Sequence, residues 1–111
     1  MNLNNKPKKA PKHLSKEASA LWNKLLNEYD IADEAGLLIL QTAMEARDRM
    51  AECQTIIKTE GMQVADRFGQ MKAHPLTVTE RDSRSAMMQA LKQLNLDLEP
   101  LNDRPGRPSG R

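Results

Sequence analysis

Aromatic residues are scarce in this 111-residue chain, which has one tryptophan, one tyrosine and one phenylalanine. A chain of this length usually forms one domain, and the hydrophobic core of so small a domain is modest. With so few aromatic side chains the core is thinner still. We therefore expect a partner subunit to contribute to the stability of the fold.

Cysteine, histidine and glycine are also few, and their positions exclude several kinds of site. The single cysteine argues against a disulfide framework and fits a reducing compartment. Neither of the two histidines pairs with the cysteine or with the other histidine at a metal-ligand spacing. None of the five glycines lies in a phosphate-binding loop of the G-x-x-x-x-G-K-S/T type. The sequence therefore predicts no metal site and no bound cofactor.

Long apolar runs are absent as well. No stretch approaches the roughly 20 residues of a membrane span, and no apolar segment follows the N-terminal lysines. Neither a membrane helix nor a signal peptide is predicted.

Two side chains have reactive chemistry, and both have a structural interpretation that is preferred. Cys53 lies on the apolar face of a predicted helix, where a small buried hydrophobe is expected. His74 precedes Pro75 in a predicted loop, where a local hydrogen bond is expected. No catalytic residue is predicted, and a small hydrolase that uses His74 ranks below the non-enzymatic functions.

Charge is unevenly distributed along the chain. Residues 1–16 contain five lysines and no acid, residues 104–111 contain three arginines and no acid, and the residues between them contain nine basic and fifteen acidic side chains. Two basic tails therefore flank an acidic body with a net charge of −6. Such tails bind nucleic acid or an acidic partner, or serve only to solubilise the chain.

The spacing of apolar residues predicts three helices. The first begins after Ser15, a predicted N-cap, and ends near Tyr29. Asp33 is predicted to cap a second helix, which runs from about residue 34 to residue 60 and ends at Gly61. Thr79 is predicted to cap a third helix that ends near Asn95, after which the Leu-Asp-Leu-Glu-Pro sequence of residues 96–100 is extended.

The connection between the second and third helices, residues 61–78, has no helical pattern. Met62, Val64 and Phe68 fall on alternate positions, which indicates a short extended segment. A connection of this length in a compact domain has a small fold of its own or contacts another molecule. It contains too little chemistry for an active site, so we interpret it as the tip between two helices.

Together these elements predict an all-α fold. It consists of a short N-terminal helix and a long antiparallel helical hairpin with an extended or small β-like tip. Disordered basic tails flank it. The predicted divisions are a basic flexible arm at 1–14, a helical domain at 15–100 and a disordered basic tail at 101–111.

An apolar stripe on the second helix has the alternating four- and three-residue spacing of a coiled-coil seam. The first helix is too short to cover this stripe, so we predict a homo-oligomer larger than a dimer, built on the second and third helices. The predicted interface residues are Ile39, Ala43, Ala46, Met50, Cys53 and Ile57.

The order of several short motifs resembles the small terminase subunits of tailed phages, in the family typified by phage P27. The resemblance covers roughly Leu14 to Pro100. It rests on Leu14-Ser15 with Trp22, Asp33 ahead of the long helix, Gly61, His74-Pro75, and Leu94-Asn95-Leu96.

The resemblance implies a non-enzymatic DNA-packaging factor. Members of this family form rings, bind double-stranded viral DNA and recruit a large subunit that supplies the ATPase and nuclease activities. The host cytoplasm is the implied location, and the portal protein is a further implied partner. The alternative is a small helical oligomeric transcription regulator that binds DNA, and mass in solution separates the two because a ring is much heavier than a dimer.

Many small terminase subunits contact DNA through a helix-turn-helix, but the second helix here begins with an acidic residue followed by apolar ones, which makes it a poor groove reader. We therefore predict that DNA binds the lysine arm. The rival hypothesis is a basic face on the second helix that uses Arg47 and Arg49. The predicted DNA-binding residues are Lys6, Lys8, Lys9, Lys12 and Lys16, with Lys24 as an addition.

Overall fold

The structure is a computed structural model that describes residues 9–94. Within that range, three helices and a two-stranded antiparallel sheet confirm the predicted all-α class with its long helical hairpin and small β tip. Residues 1–8 of the predicted arm and the whole predicted tail at 101–111 lie outside the described residues, as do the predicted helix end near Asn95 and the predicted extended segment 96–100. The division into arm, domain and tail stays a prediction. The elements are α1 (Lys16–Tyr29), α2 (Glu34–Glu60), β1 (Gln63–Ala65), β2 (Met71–Ala73) and α3 (Leu76–Gln93).

Side-chain caps begin the first two helices at the predicted residues. The Ser15 hydroxyl accepts a hydrogen bond from the Ala18 N–H at 3.0 Å, and the Asp33 carboxylate accepts one from the Gly36 N–H at 2.9 Å. Each bond satisfies a donor that has no partner inside the first helical turn. The predicted N-caps are therefore confirmed.

The predicted end of α2 is also confirmed. Gly61 follows the last helical residue and has a φ of 96°, a backbone conformation that residues with a Cβ rarely adopt. Its N–H donates to the Ile57 carbonyl, which extends the helical pattern by one bond. The chain then leaves the axis of α2 and enters β1.

The predicted N-cap of α3 is wrong. The helix begins at Leu76 rather than after Thr79, and Pro75 stands at its N-terminal boundary with no side-chain cap of its own. His74 takes the capping role, because its ring Nδ1 accepts from the Leu76 N–H at 3.0 Å and its carbonyl accepts from the Thr77 N–H at 3.0 Å. Thr79 therefore lies inside the first turns of the helix.

α2 and α3 pack side by side along most of their length and form the main body. The pairing is antiparallel, because the residue numbers rise on one helix as they fall on the other. Three side-chain hydrogen bonds mark this register: Arg49 with Ser83 at 3.0 Å, Gln54 with Glu80 at 2.8 Å, and Glu60 with His74 at 2.7 Å.

The hydrophobic core lies at the end of the molecule where α1 packs on the first half of α2. Leu40 and Met44 are its largest fully buried side chains. Both α1 and α3 pack against this half of α2. The buried cluster consists of Leu14, Ala18, Trp22, Leu37, Leu40, Ala43, Met44 and Ala90.

The β-hairpin forms the tip between α2 and α3, at the opposite end of α2 from this core. Val64 lies opposite Lys72 in its register, and all three residues of β2 are exposed. Gly69 occupies the turn with a φ of 81°. The Asp66 carboxylate accepts the backbone N–H groups of Phe68 and Gln70, which organises that turn.

Candidate functional site

The end of the predicted arm is anchored on α2. The Ser15 N–H and hydroxyl donate to the two carboxylate oxygens of Asp48, at 2.7 and 2.5 Å. His13 Nε2 lies 2.7 Å from a carboxylate oxygen of Glu45, and the Leu14 side chain is buried in the core. These contacts hold residues 13–15 in place on α2.

The two carboxylates beneath the arm are stabilised in their ionised form. Burial raises the pKa of Asp48, but the hydrogen bonds from Ser15 and Arg47 outweigh it and leave the pKa below its usual value. Hydrogen bonds from Gln41 and then His13 lower the pKa of Glu45. Both acids therefore have partners within the chain and remain charged at neutral pH.

The predicted DNA-binding lysines that the structure describes are all exposed. Lys9 and Lys12 precede the anchored segment, Lys16 begins α1, and Lys24 lies on the exposed side of α1. Among residues 9–94, none of these four ammonium groups has a carboxylate within ion-pair distance. Lys6 and Lys8 lie outside the described residues, and DNA binding by the whole set stays a prediction.

Both arginines of the rival hypothesis, Arg47 and Arg49, have a partner within the chain. Arg47 forms an ion pair at 3.1 Å with Asp48, whose carboxylate also accepts the two hydrogen bonds from Ser15. Arg49 donates from Nε to the Ser83 hydroxyl at 3.0 Å and so links α2 to α3. These contacts give both side chains a partner within the chain, although Arg49 remains exposed. The choice between the arm and α2 as the phosphate contact stays a prediction.

The predicted seam on α2 is partly covered within one chain. Ala43 and Ala46 are 0% exposed and Cys53 is 5% exposed, because the chain's own neighbouring helices pack over them. The other three seam residues are half-buried. The oligomer interface stays a prediction, and the members with surface left for a second copy are Ile39, Met50 and Ile57.

His74 is a structural residue that joins the end of α2 to the start of α3. Its side chain is 5% exposed, and its Nε2 lies 2.7 Å from the Glu60 carboxylate. Because Nδ1 accepts the Leu76 N–H, the neutral ring carries its proton on Nε2 and donates it to Glu60. Both nitrogens are occupied, so the ring has no free position for acid–base chemistry.

Replacing His74 with alanine is expected to destabilise the chain by about 2–3 kcal/mol, because the change removes two hydrogen bonds and leaves a small cavity. The measurement is the free energy of unfolding from urea titrations monitored by circular dichroism. The matched control is His13→Ala, since His13 is mostly exposed and its loss is expected to cost less than about 0.5 kcal/mol. Equal effects of the two variants would contradict the capping role.

Sequence reasoning missed an exposed apolar surface at the hairpin. Phe68 is 80% exposed and Met71 is 59% exposed, and the Arg67 guanidinium lies 5.8 Å from the centre of the Phe68 ring. The signal is weak in the sequence, because each strand is only three residues long. Met62, which directly precedes β1, is also exposed.

Among residues 9–94, no group of three or more histidine, cysteine, aspartate or glutamate side chains is arranged to hold a metal ion. No helix in that range is long and apolar enough to cross a membrane.

Residues 18–99 match the family described as "Phage terminase, small subunit". The matched range includes nearly all of α1 and the whole of α2, the β-hairpin and α3. No curated protein and no solved structure matches the chain.

Proposed function

The chain belongs to the family of phage terminase small subunits, and we propose that it is a packaging factor that binds double-stranded viral DNA. In this proposal it recruits or regulates the large ATPase/nuclease subunit in the host cytoplasm, works as a ring-shaped homo-oligomer and has the portal as a further partner. We place it in the branch of the family typified by phage P27. The family match over residues 18–99 is the observation that carries the proposal.

The charge layout supports DNA binding through the arm. Residues 1–16 carry five lysines and no acid, whereas the body carries a net charge of −6 and by itself repels a duplex. The anchored contacts of Ser15 and His13 place the base of the arm at a defined point on α2. A ring would present several arms to one duplex and convert weak contacts into useful avidity.

We further propose that the chain does not itself catalyse a reaction. Cys53 is buried, and both ring nitrogens of His74 are engaged in hydrogen bonds. No phosphate-binding loop is present in the sequence. The ATPase and nuclease activities are therefore assigned to the large subunit.

The test combines the purified chain with the large subunit from the same phage. We expect no ATP hydrolysis or DNA cleavage by the chain alone, and a saturable change in the ATPase or nuclease rate of the large subunit as the chain is added. Bovine serum albumin at equal concentration controls for non-specific effects. Turnover by the chain alone that a point substitution removes, or a large subunit that does not respond, would overturn the proposal.

A further inference from the structure

Among residues 9–94, no strand pairs with the outer edge of β2. Two backbone hydrogen bonds lie at the two ends of the hairpin ladder. The His74 N–H donates to the Met62 carbonyl at one end, and the Asp66 N–H donates to the Gln70 carbonyl at the other. In an antiparallel ladder, alternate residues direct their N–H and C=O groups toward the partner strand and away from it. Met71 and Ala73 of β2 therefore direct their backbone N–H and C=O groups away from β1.

The side chains of β2 also alternate in chemistry. Met71 lies opposite Ala65 and Ala73 lies opposite Gln63, so these four side chains share one face of the hairpin, on which Gln63 is the one polar member. Lys72 lies on the other face with Val64. All three residues of β2 are exposed. A sheet of two such short strands is marginally stable in water, so a third strand would stabilise it. The edge therefore offers an apolar, basic, apolar row to an added strand.

One segment of the same sequence has the complementary pattern. Residues 96–99 read Leu-Asp-Leu-Glu, so an extended backbone places the two leucines on one face and the two acids on the other. Beside β2 the leucines would contact Met71 and Ala73, and an acid would lie beside Lys72. Pro100 has no N–H and would end the pairing. The family match extends to residue 99 and includes this segment.

The segment cannot reach the hairpin of its own chain. α3 separates the two, and its 18 residues at about 1.5 Å each span about 27 Å. Residue 99 is five residues beyond Leu94, and a fully extended chain of that length covers at most about 17 Å. Residues 96–99 can therefore pair with β2 only when the two come from different copies of the chain.

We propose that residues 96–99 of one copy add as a third strand to the β2 edge of another copy. The donating segment and the accepting edge are different surfaces, so the contact is head-to-tail and can close into a ring. The inference rests on the proposed function for the existence of a ring and adds a contact between neighbouring copies to the predicted helical seam.

Disulfide trapping tests the contact in the full-length chain. Cys53 is first replaced with alanine, and a Met71→Cys chain is then mixed with a Leu98→Cys chain under mild oxidation. We expect the yield of disulfide-linked heterodimer to be several-fold higher than with Met88→Cys, which introduces a thiol at an exposed methionine of α3 away from the hairpin. Equal yields with the two partners would overturn the proposal.

Charge reversal provides a second measurement that does not depend on cysteine chemistry. We expect Lys72→Glu to lower the oligomer mass measured by light scattering, and we expect the same chain with Asp97→Lys and Glu99→Lys to recover it. Lys72 is exposed, so circular dichroism should show an unchanged helical content. No loss of mass with Lys72→Glu, or no recovery with the reversed acids, would count against strand addition.

The same proteins separate this inference from the proposed function. Loss of trapping with intact DNA binding and an intact response of the large subunit would overturn strand addition alone. Trapping without DNA binding or a response of the large subunit would support the contact and overturn the packaging role.

Discussion

Replacing Lys6, Lys8, Lys9 and Lys12 with glutamine is expected to remove most DNA binding by this chain. Each phosphate that a lysine neutralises contributes about −0.9 to the slope of log affinity against log salt, so five arm lysines predict a slope of about −4.5 for each arm engaged. Raising salt from about 50 to about 200 mM should then weaken binding of the native chain by roughly two to three orders of magnitude. The variant keeps only Lys16 of the five, and its expected slope is about −0.9.

Substitution is preferred to deletion because the structure packs part of the arm on the core. Ala10 contacts the core cluster, and the Leu14 N–H donates to the Pro11 carbonyl at 3.3 Å. Glutamine removes the charge and leaves these contacts in place. Fluorescence anisotropy with a short duplex over a salt series measures both the affinity and the slope.

A charge-matched variant controls for the loss of four positive charges. It carries glutamine at four exposed positions outside the arm, on α2, the hairpin and α3, and we expect its salt slope to stay close to that of the native chain. Equal losses of affinity in the two variants would show that overall charge, rather than the arm, governs binding. The four positions are Lys58, Arg67, Arg81 and Lys92.

Replacing Ala46 with glutamate is expected to unfold the chain or to lower its melting temperature by at least about 12 °C. Ala46 is 0% exposed, and an unpaired charge at such a site costs about 3–5 kcal/mol. In a domain of this size, each kcal/mol shifts the melting temperature by about 4–8 °C. Thermal unfolding followed by far-ultraviolet circular dichroism measures the effect.

Ala35→Glu is the matched control on the same helix. Ala35 is exposed in the first turn of α2, where a negative charge interacts favourably with the helix dipole, so a change within about 0.5 kcal/mol is expected. The sequence alone predicts that a bulky charge at Ala46 breaks the oligomer, because small seam residues set the spacing between helices. A normal melting temperature with a reduced oligomer mass would support that interpretation over the burial of Ala46 within one chain.

The helix caps show what local sequence could establish. Ser15 and Asp33 cap their helices through bonds that span three residues, and Gly61 ends α2 because it tolerates a positive φ. These interactions need no distant partner. The bounds of α1 and α2 follow from short-range chemistry and apolar spacing, so both were predicted correctly.

The start of α3 depended on a distant contact. His74 can cap the helix because its ring is buried and held by Glu60, which lies 14 residues earlier in the chain. Local rules favoured Thr79, a common N-cap residue that follows the proline. The strands of the hairpin also escaped full prediction, because three-residue strands are defined by their cross-strand partners rather than by an apolar period.

The candidate site divides in the same way. The excess of lysine in residues 1–16 and the acidic body are properties of composition, so the sequence by itself identified the arm as the predicted phosphate contact. Only the tertiary structure assigned Arg47 to Asp48 and Arg49 to Ser83, and only it buried Ala46 while leaving the edge of β2 exposed. Net charge and apolar spacing follow directly from the order of the residues in the chain. Burial and side-chain pairing depend on which distant segments the fold brings together.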